Sequence, residues 1–388
     1  MRTFGWLLGR FLLLVILVAA ALAVWKREEI TRLMAVNSLF AEDRIVANFS
    51  NMGGLFHTLP MRRGAGPTAP LPQGAPMQMP DGFERWLEDR AVTSLIVMKD
   101  GKLRHESYHM GTGPDDRRIS WSVAKSFLAA LFGIVQQEGA IASLDDKVVK
   151  YVPGLRGGAY ERATIRNVLQ MASGITFDED YLDFWSDINR MGRVLALGQS
   201  MDGFTEALQE TEAAPGERWQ YVSIDTHVIG MVIRGATGRS IPDLMQEKLF
   251  DHMGFEADPY YVADGYQTAF VLGGLNLTTR DYARFGQMVM QDGRWQGRQV
   301  VPGDWLAAST VPSAPTKSGE RQYGYQWWMP PDAREGEFYA RGIYGQYIYF
   351  SRPDGVVITT NGADRGFREP GAHESNIEMF RKITEALR

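Results

Sequence analysis

The order of the hydrophobic patterns predicts an α/β fold of the α+β type. One antiparallel sheet is formed by both ends of the chain and flanked by helices, with a mostly helical insertion between. Three observations carry this. Strand patterns occur at residues 93–98 and 103–110, joined by the turn Lys99-Asp100-Gly101-Lys102. Helical periodicity then dominates, over residues 165–171, 203–210, 223–238, 241–253 and 280–291. Strand patterns return at 324–329, 337–350 and 355–361, before a last helix at about 375–387. Strands at both ends with helices in the middle do not suit alternating β-α units. The cleft between sheet and insertion is the natural place for a site.

A chain of 388 residues can form one large domain or two, and 45% hydrophobic with 22% charged residues is a globular balance. The net charge of −5, with no basic stripe, argues against a nucleic-acid partner. The absence of cysteine excludes disulfides and thiol catalysis.

The N-terminus carries the run FLLLVILVAAALAVW at residues 11–25. Counting back to Phe4 gives the roughly 20 residues needed to span a bilayer. Residues 1–27 therefore read as a membrane anchor with Arg10 snorkelling to the headgroups, or as a signal segment cleaved near Ala21-Leu22-Ala23. The expected location is the cell membrane, with the catalytic part outside the cytoplasm. Residues 28–81 read as an extended, linker-like region, with helical stretches (EEITRLMAVNSLF) before about Phe56 and a Pro- and Gly-rich end, GAGPTAPLPQGAPMQMPD. The catalytic domain is expected over 82–388, opening with a short helix at 83–90.

The chemistry centres on Ser122-Val123-Ala124-Lys125, followed by a helix apolar almost all round to about Gly139. Residues three apart share a helix face. A lysine taken out of water loses its preference for the charged form. As the neutral amine it can accept the serine proton, which makes a nucleophile without histidine.

A competing pattern, His105-Glu106-Ser107-Tyr108-His109, spells the zinc-peptidase H-E-x-x-H. That chemistry needs a helix. The preceding Asp-Gly turn predicts a strand, where residues four apart lie about 13 Å from each other. No metal site is assigned.

Two further segments support the serine. Pro215-Gly216 leads into Tyr221-Val222-Ser223 and then a helix, and a tyrosine can relay a proton to a leaving group. Residues 338–346 form a strand interrupted by Gly342 and Gly345, a mark of close approach by a ligand or backbone. A backbone N–H there, with that of Ser122, can form an oxyanion hole. Tyr325, Trp327 and Trp328 are aromatic candidates for the cleft wall.

In this order and spacing the segments resemble the serine β-lactamase/penicillin-recognising superfamily. Within it they are most similar to the class C-like serine hydrolases of the 6-aminohexanoate-dimer (nylon-oligomer) group. The resemblance covers about residues 82–388 and extends to Val168-Leu169-Gln170-Met171-Ala172-Ser173-Gly174, Thr279-Arg280-Asp281-Tyr282-Ala283-Arg284-Phe285-Gly286 and Tyr323-Gly324-Tyr325-Gln326-Trp327-Trp328. It implies a β-lactamase/transpeptidase-like fold and an acyl-enzyme on Ser122. Lys125 is then the general base and Tyr221 the proton relay. The N–H groups of Ser122 and Ile343 form the oxyanion hole. Tyr181, Ser223, Gly342 and Trp327 contact substrate.

One departure matters. Where many relatives have Lys-Thr-Gly or His-x-Gly, this chain has Ala340-Arg341-Gly342. The usual cation is missing, and Arg341 does not replace it by position alone, because alternate strand residues face opposite ways. This favours a small ester or amide substrate over a β-lactam or cell-wall peptide. A catalytically silent binding protein on the same fold is the reading from another class. Asp178, Glu179 and Asp180 read as a polar loop beside the cleft, Asp183 and Asp187 as solvated, and His227 and His373 as structural. Ser-Lys chemistry needs no metal or organic cofactor.

Overall fold

The computed structural model describes residues 2–388. In chain order the strands are β1 (His57–Pro60), β2 (Val92–Lys99), β3 (Lys102–Tyr108), β4 (Arg118–Ile119), β5 (Tyr260–Ala263), β6 (Leu275–Leu277), β7 (Arg294–Trp295), β8 (Arg298–Gln299), β9 (Gln322–Tyr323), β10 (Trp328–Met329), β11 (Glu337–Gly342), β12 (Gln346–Ser351) and β13 (Val356–Gly362). The main sheet has the order β3-β2-β13-β12-β11-β10-β9 and is antiparallel at every pairing. The N-terminal hairpin β2-β3 thus joins the C-terminal strands through β13, as the segregation of strand patterns predicts.

Period-two alternation explains why both faces of this sheet are buried. Ile96, Met98, Ala340, Ile348, Phe350 and Val357 enter the core on the side of the Val123–Gln137 and Thr279–Met290 helices. Their neighbours Leu95, Val97, Tyr339, Tyr347, Tyr349 and Ile358 enter a second core with the Phe83–Asp89 and Ala372–Glu385 helices.

The expected strand at 337–350 is a hairpin. β11 and β12 pair along their length, and Tyr344 turns the chain with a φ of 61°. The expected strand at 324–329 is confined to β10, because Gln326, at φ 65°, breaks the extended run. Its buried side chain accepts from Thr226 (2.7 Å) and donates to Leu169 O (2.9 Å), while its carbonyl accepts from Ser126 (2.7 Å). One glutamine therefore ties the Ser122 helix, the Ser223–Thr237 helix and the Ile165–Leu169 helix together.

Two features of the fold were not anticipated. A second, smaller sheet of order β1-β5-β6-β4 joins strands of the insertion to β1 from the N-terminal region. The first part of the expected linker region is packed structure. β1 pairs with β5, and buried Arg118 donates to Val46 O (2.7 Å) and Ser50 Oγ (2.5 Å) on the Ile45–Ser50 helix. The preceding Arg27–Ser38 helix packs on the Asp187–Ala196 helix, where Arg32 donates to Ala196 O at 2.9 Å. The body of the protein therefore begins well before residue 82.

The N-terminal helix runs Arg2–Trp25, and its described apolar side chains, such as Phe11, Leu14 and Ile16, are exposed. Among the described residues no single helix is long and apolar enough to cross a membrane, but Gly9–Trp25 and Arg27–Ser38, bent by 73°, reach that length together.

Gly133 on the Ser122 helix sits under Trp305, and a Cβ there would lie 2.1 Å from the indole ring. Trp305 is held in place by its bond to Ala129 O at 2.8 Å. Gly133→Ala is expected to cost about 1–3 kcal/mol by overpacking. Thermal or urea denaturation checks this, and an unchanged midpoint would show that the helix and Trp305 are not in this contact.

Candidate active site

Ser122 is the N-cap of the Val123–Gln137 helix, so its N–H points out of the helix start and its side chain stays accessible. The preceding Trp121 is held at φ 42°, a conformation that a large side chain adopts only under constraint. The constraint is aromatic. Trp121 packs against Phe40 and Phe49, with ring centres 5.7 and 5.4 Å away. The end of β11 lies against this corner. A Cβ on Gly342 would sit 2.7 Å from Ser120 O and 3.0 Å from Ser122 N. Only glycine allows that approach, and it brings Ile343, the next residue, alongside the serine. Left-handed residues thus flank the pair: Trp121 before Ser122 and Tyr344 after Ile343.

Lys125 is 2% exposed. Burial pulls its pKa down to about 7, against the opposing pull of the Glu179 and Asp225 carboxylates. Its amine donates to Leu272 O (2.9 Å) and Ser223 Oγ (3.3 Å). A neutral amine has two N–H bonds and one lone pair. Both hydrogens are engaged, so the lone pair is left to take a proton.

Ser223 passes the arrangement on. Its hydroxyl donates to Glu179 Oε1, its N–H to Glu179 Oε2 (2.9 Å), and Tyr181 donates to the same Oε1 at 2.6 Å. Burial raises the Glu179 pKa, and Lys125 and the Ser223 bonds pull against that rise. Sequence reasoning had placed Glu179 in a polar loop. The available signal was its spacing: residues two apart on extended chain share a side, and Tyr181 was already a candidate.

The Tyr221 ring centre lies 5.5 Å from Lys125 Nζ, and Tyr221 lines the same cleft as Ser122. Burial and Glu179 push its pKa far up, so it is held as a phenol. A phenol can donate and relay but is a poor resident base, which leaves that role to Lys125.

Two cavities meet at Ser122, Tyr181 and Ile343. One is polar and is lined also by Glu179, Tyr221, Trp328, Arg321, Arg341 and Gly342. The other is a slot lined mainly by apolar side chains, with Ser223 and Asn189 as polar members. Arg341 does reach the cleft, its guanidinium 6.0 Å from the Trp328 ring centre, as is that of Arg321. Ala340, its neighbour, faces the opposite core. Trp327 stands apart from the other candidates. It is fully buried between Phe338 and Phe350, and Trp328 takes the place on the cleft wall.

The remaining titratable candidates have other partners. His227 bonds Asp202 at 2.8 Å, and His373 lies between the Tyr339 and Tyr347 hydroxyls at 2.9 and 3.0 Å. His105 and His109 lie along one edge of β3 and its continuation, each bonded to Ser107 at 2.9 Å. Asp178, Asp180 and Asp183 accept backbone N–H bonds within their own loop. Asp187 accepts from Asp178 N at 3.0 Å.

Comparison with known proteins agrees with the fold. The chain is 29% identical over 331 residues to a 6-aminohexanoate-dimer hydrolase of Paenarthrobacter ureafaciens, covering 80% of this chain and 83% of that protein. A shorter match of 26% over 174 residues is to a D-aminopeptidase of Brucella anthropi, covering 42% of this chain and 31% of that protein. Among solved structures, a Bacillus anthracis protein provisionally named a 6-aminohexanoate-dimer hydrolase superposes with a TM-score of 0.79 at 22% identity, covering 90% of this chain and 96% of that one. EstCE1, a hydrolase with promiscuous acyltransferase activity, superposes at 0.57 with 13% identity, covering 78% and 96%. The Beta-lactamase family profile matches residues 83–375, and the chain belongs to that family of serine hydrolases, related to esterases and amidases.

Proposed function

We propose that this protein hydrolyses a small carboxylic ester or amide by acyl transfer through Ser122, held at a membrane by its N-terminal segment with the catalytic body outside the cytoplasm. The observation that carries the reading is the state of Lys125. It is a buried amine near neutrality whose two N–H bonds are already committed.

The reaction follows from the groups present. Ser122 Oγ attacks the substrate carbonyl while its proton passes to the Lys125 lone pair. The carbonyl oxygen takes the negative charge and is stabilised by the N–H groups of Ser122 and Ile343. As the tetrahedral intermediate collapses, the C–O or C–N bond to the leaving group breaks. Tyr221 gives its proton to the leaving atom and is reprotonated from Lys125. Water then attacks the acyl-enzyme with Lys125 and Tyr221 moving its proton the same way, releasing the acid and restoring Ser122. Glu179 acts through Ser223, holding the Lys125 amine in the orientation that frees its lone pair.

A second reading, a β-lactam or D-peptide substrate, is favoured by one observation: Arg341 and Arg321 place two guanidinium groups in the polar cleft. A chromogenic cephalosporin tests it directly, since turnover by wild type and none by Ser122→Ala supports that substrate class.

The primary test is intact-mass measurement after a fluorophosphonate probe. One adduct is expected on wild type and none on Ser122→Ala. No adduct on folded wild-type protein would sink the hydrolase in favour of a silent binding fold. The labelling rate is expected to rise with pH through a midpoint near 7, because only the neutral Lys125 amine accepts a proton. Lys125→Arg should flatten the profile and lose at least about 100-fold, since a guanidinium does not deprotonate. Glu179→Gln removes a charge that raises the Lys125 pKa, so the midpoint should move to lower pH. A midpoint that stays in place would remove Glu179 from the network.

A further inference from the structure

The two cavities that meet at Ser122 differ in chemistry, and the difference assigns the two halves of the substrate. The polar cleft holds Tyr221, the proton donor to the leaving atom in the proposed reaction. The leaving group therefore exits on that side, and the acyl group must extend into the other cavity. That cavity is a slot of about 110 Å³ walled by Val36, Phe40, Met191, Leu195, Phe270 and Leu272, with no charged residue in its lining.

We infer that the slot holds the acyl half of the substrate and selects a short, unsubstituted hydrocarbon chain. The inference rests on the serine-hydrolase reading. Size comes from the volume: an apolar cavity of about 150 Å³ takes up a benzene ring, so this one, somewhat smaller, accepts a short chain. Chemistry comes from the wall. A terminal ammonium, as on a 6-aminohexanoyl group, would lose its water and find no carboxylate there.

The slot also accounts for the packed N-terminal region. Val36 lies on the Arg27–Ser38 helix and Phe40 just beyond it, stacked on Tyr344 at 4.8 Å between ring centres. The chain leaving the apolar N-terminal helix thus builds one wall of the slot. The adjoining wall, the Asp187–Ala196 helix, is entered through a loop on which Leu182, Phe184 and Trp185 are exposed at 81%, 53% and 75%. Exposed apolar residues on both approaches suit a substrate with an alkyl chain.

The experiment uses the full chain in detergent micelles with p-nitrophenyl esters from acetyl to decanoyl, and with the 6-aminohexanoyl ester. Each added methylene should raise kcat/KM about fourfold until the slot is full, followed by a fall. The hexanoyl ester should exceed the 6-aminohexanoyl ester at least about tenfold. Val36→Trp, which fills the slot from its N-terminal wall, should lower the hexanoyl-to-acetyl ratio by about tenfold or more. A rate that is flat or falls from acetyl onward, or equal rates for the two six-carbon esters, overturns the assignment. So does a series of alkyl acetates in which the gain follows the alcohol chain instead. Failure of the fluorophosphonate to label Ser122 would instead overturn the hydrolase reading beneath it, which separates the two failures.

Discussion

Everything at this site depends on keeping one amine dry. From Val123 to Val135 every side chain of the Ser122 helix is buried, and Lys125 is buried with them. Such a helix costs little in apolar terms, but a lysine inside it is held against its solvation free energy. The fold compensates with two acceptors, Leu272 O and Ser223 Oγ, and with carboxylates at Glu179 and Asp225 that oppose the fall in pKa. The balance leaves the amine near neutrality, where it can hold a proton briefly and return it. A more apolar pocket would make a weaker base, and a more acidic one would leave the amine charged.

The second constraint is a close approach between chain segments more than two hundred residues apart. Gly342 lets the edge of the C-terminal hairpin touch the start of the Ser122 helix, and no side chain fits between. The strained corners at Trp121 and Tyr344 are held by rings from Phe40 and Phe49. The N-terminal region thus braces the same corner that the hairpin completes. This explains why residues before the matched family region belong to the working body of the protein. It also divides the cleft into an apolar side and a polar, charged one.

Much of this was legible in the sequence where the signal is local or periodic. Ser122 and Lys125 share a helix face by spacing alone. The strand over the H-E-x-x-H pattern follows from the Asp-Gly turn before it, and the sheet built from both chain ends follows from the order of strand and helix patterns. Motif resemblance supplied Tyr221, Ser223, Gly342 and Ile343, and the structure brings all of them to one place. Other features had no local signal. Glu179 is one acid among three in a loop, and only the fold selects it for Ser223. Trp327 and Trp328 are neighbours of the same type, and the pleat decides which one faces the cleft.

The sequence by itself determined the fold class and the placing of Ser122 and Lys125 on one helix face, because hydrophobic periodicity and i, i+3 spacing are properties of a single segment. Tertiary structure decided the rest. It chose the side to which Arg341 points, linked Glu179 to the lysine through Ser223, and turned the supposed linker into a wall of the slot. These outcomes rest on contacts between segments far apart in the chain. Burial of a charge, the aim of a lone pair and the shape of a cavity are set by what packs around a residue, and no single segment carries that information.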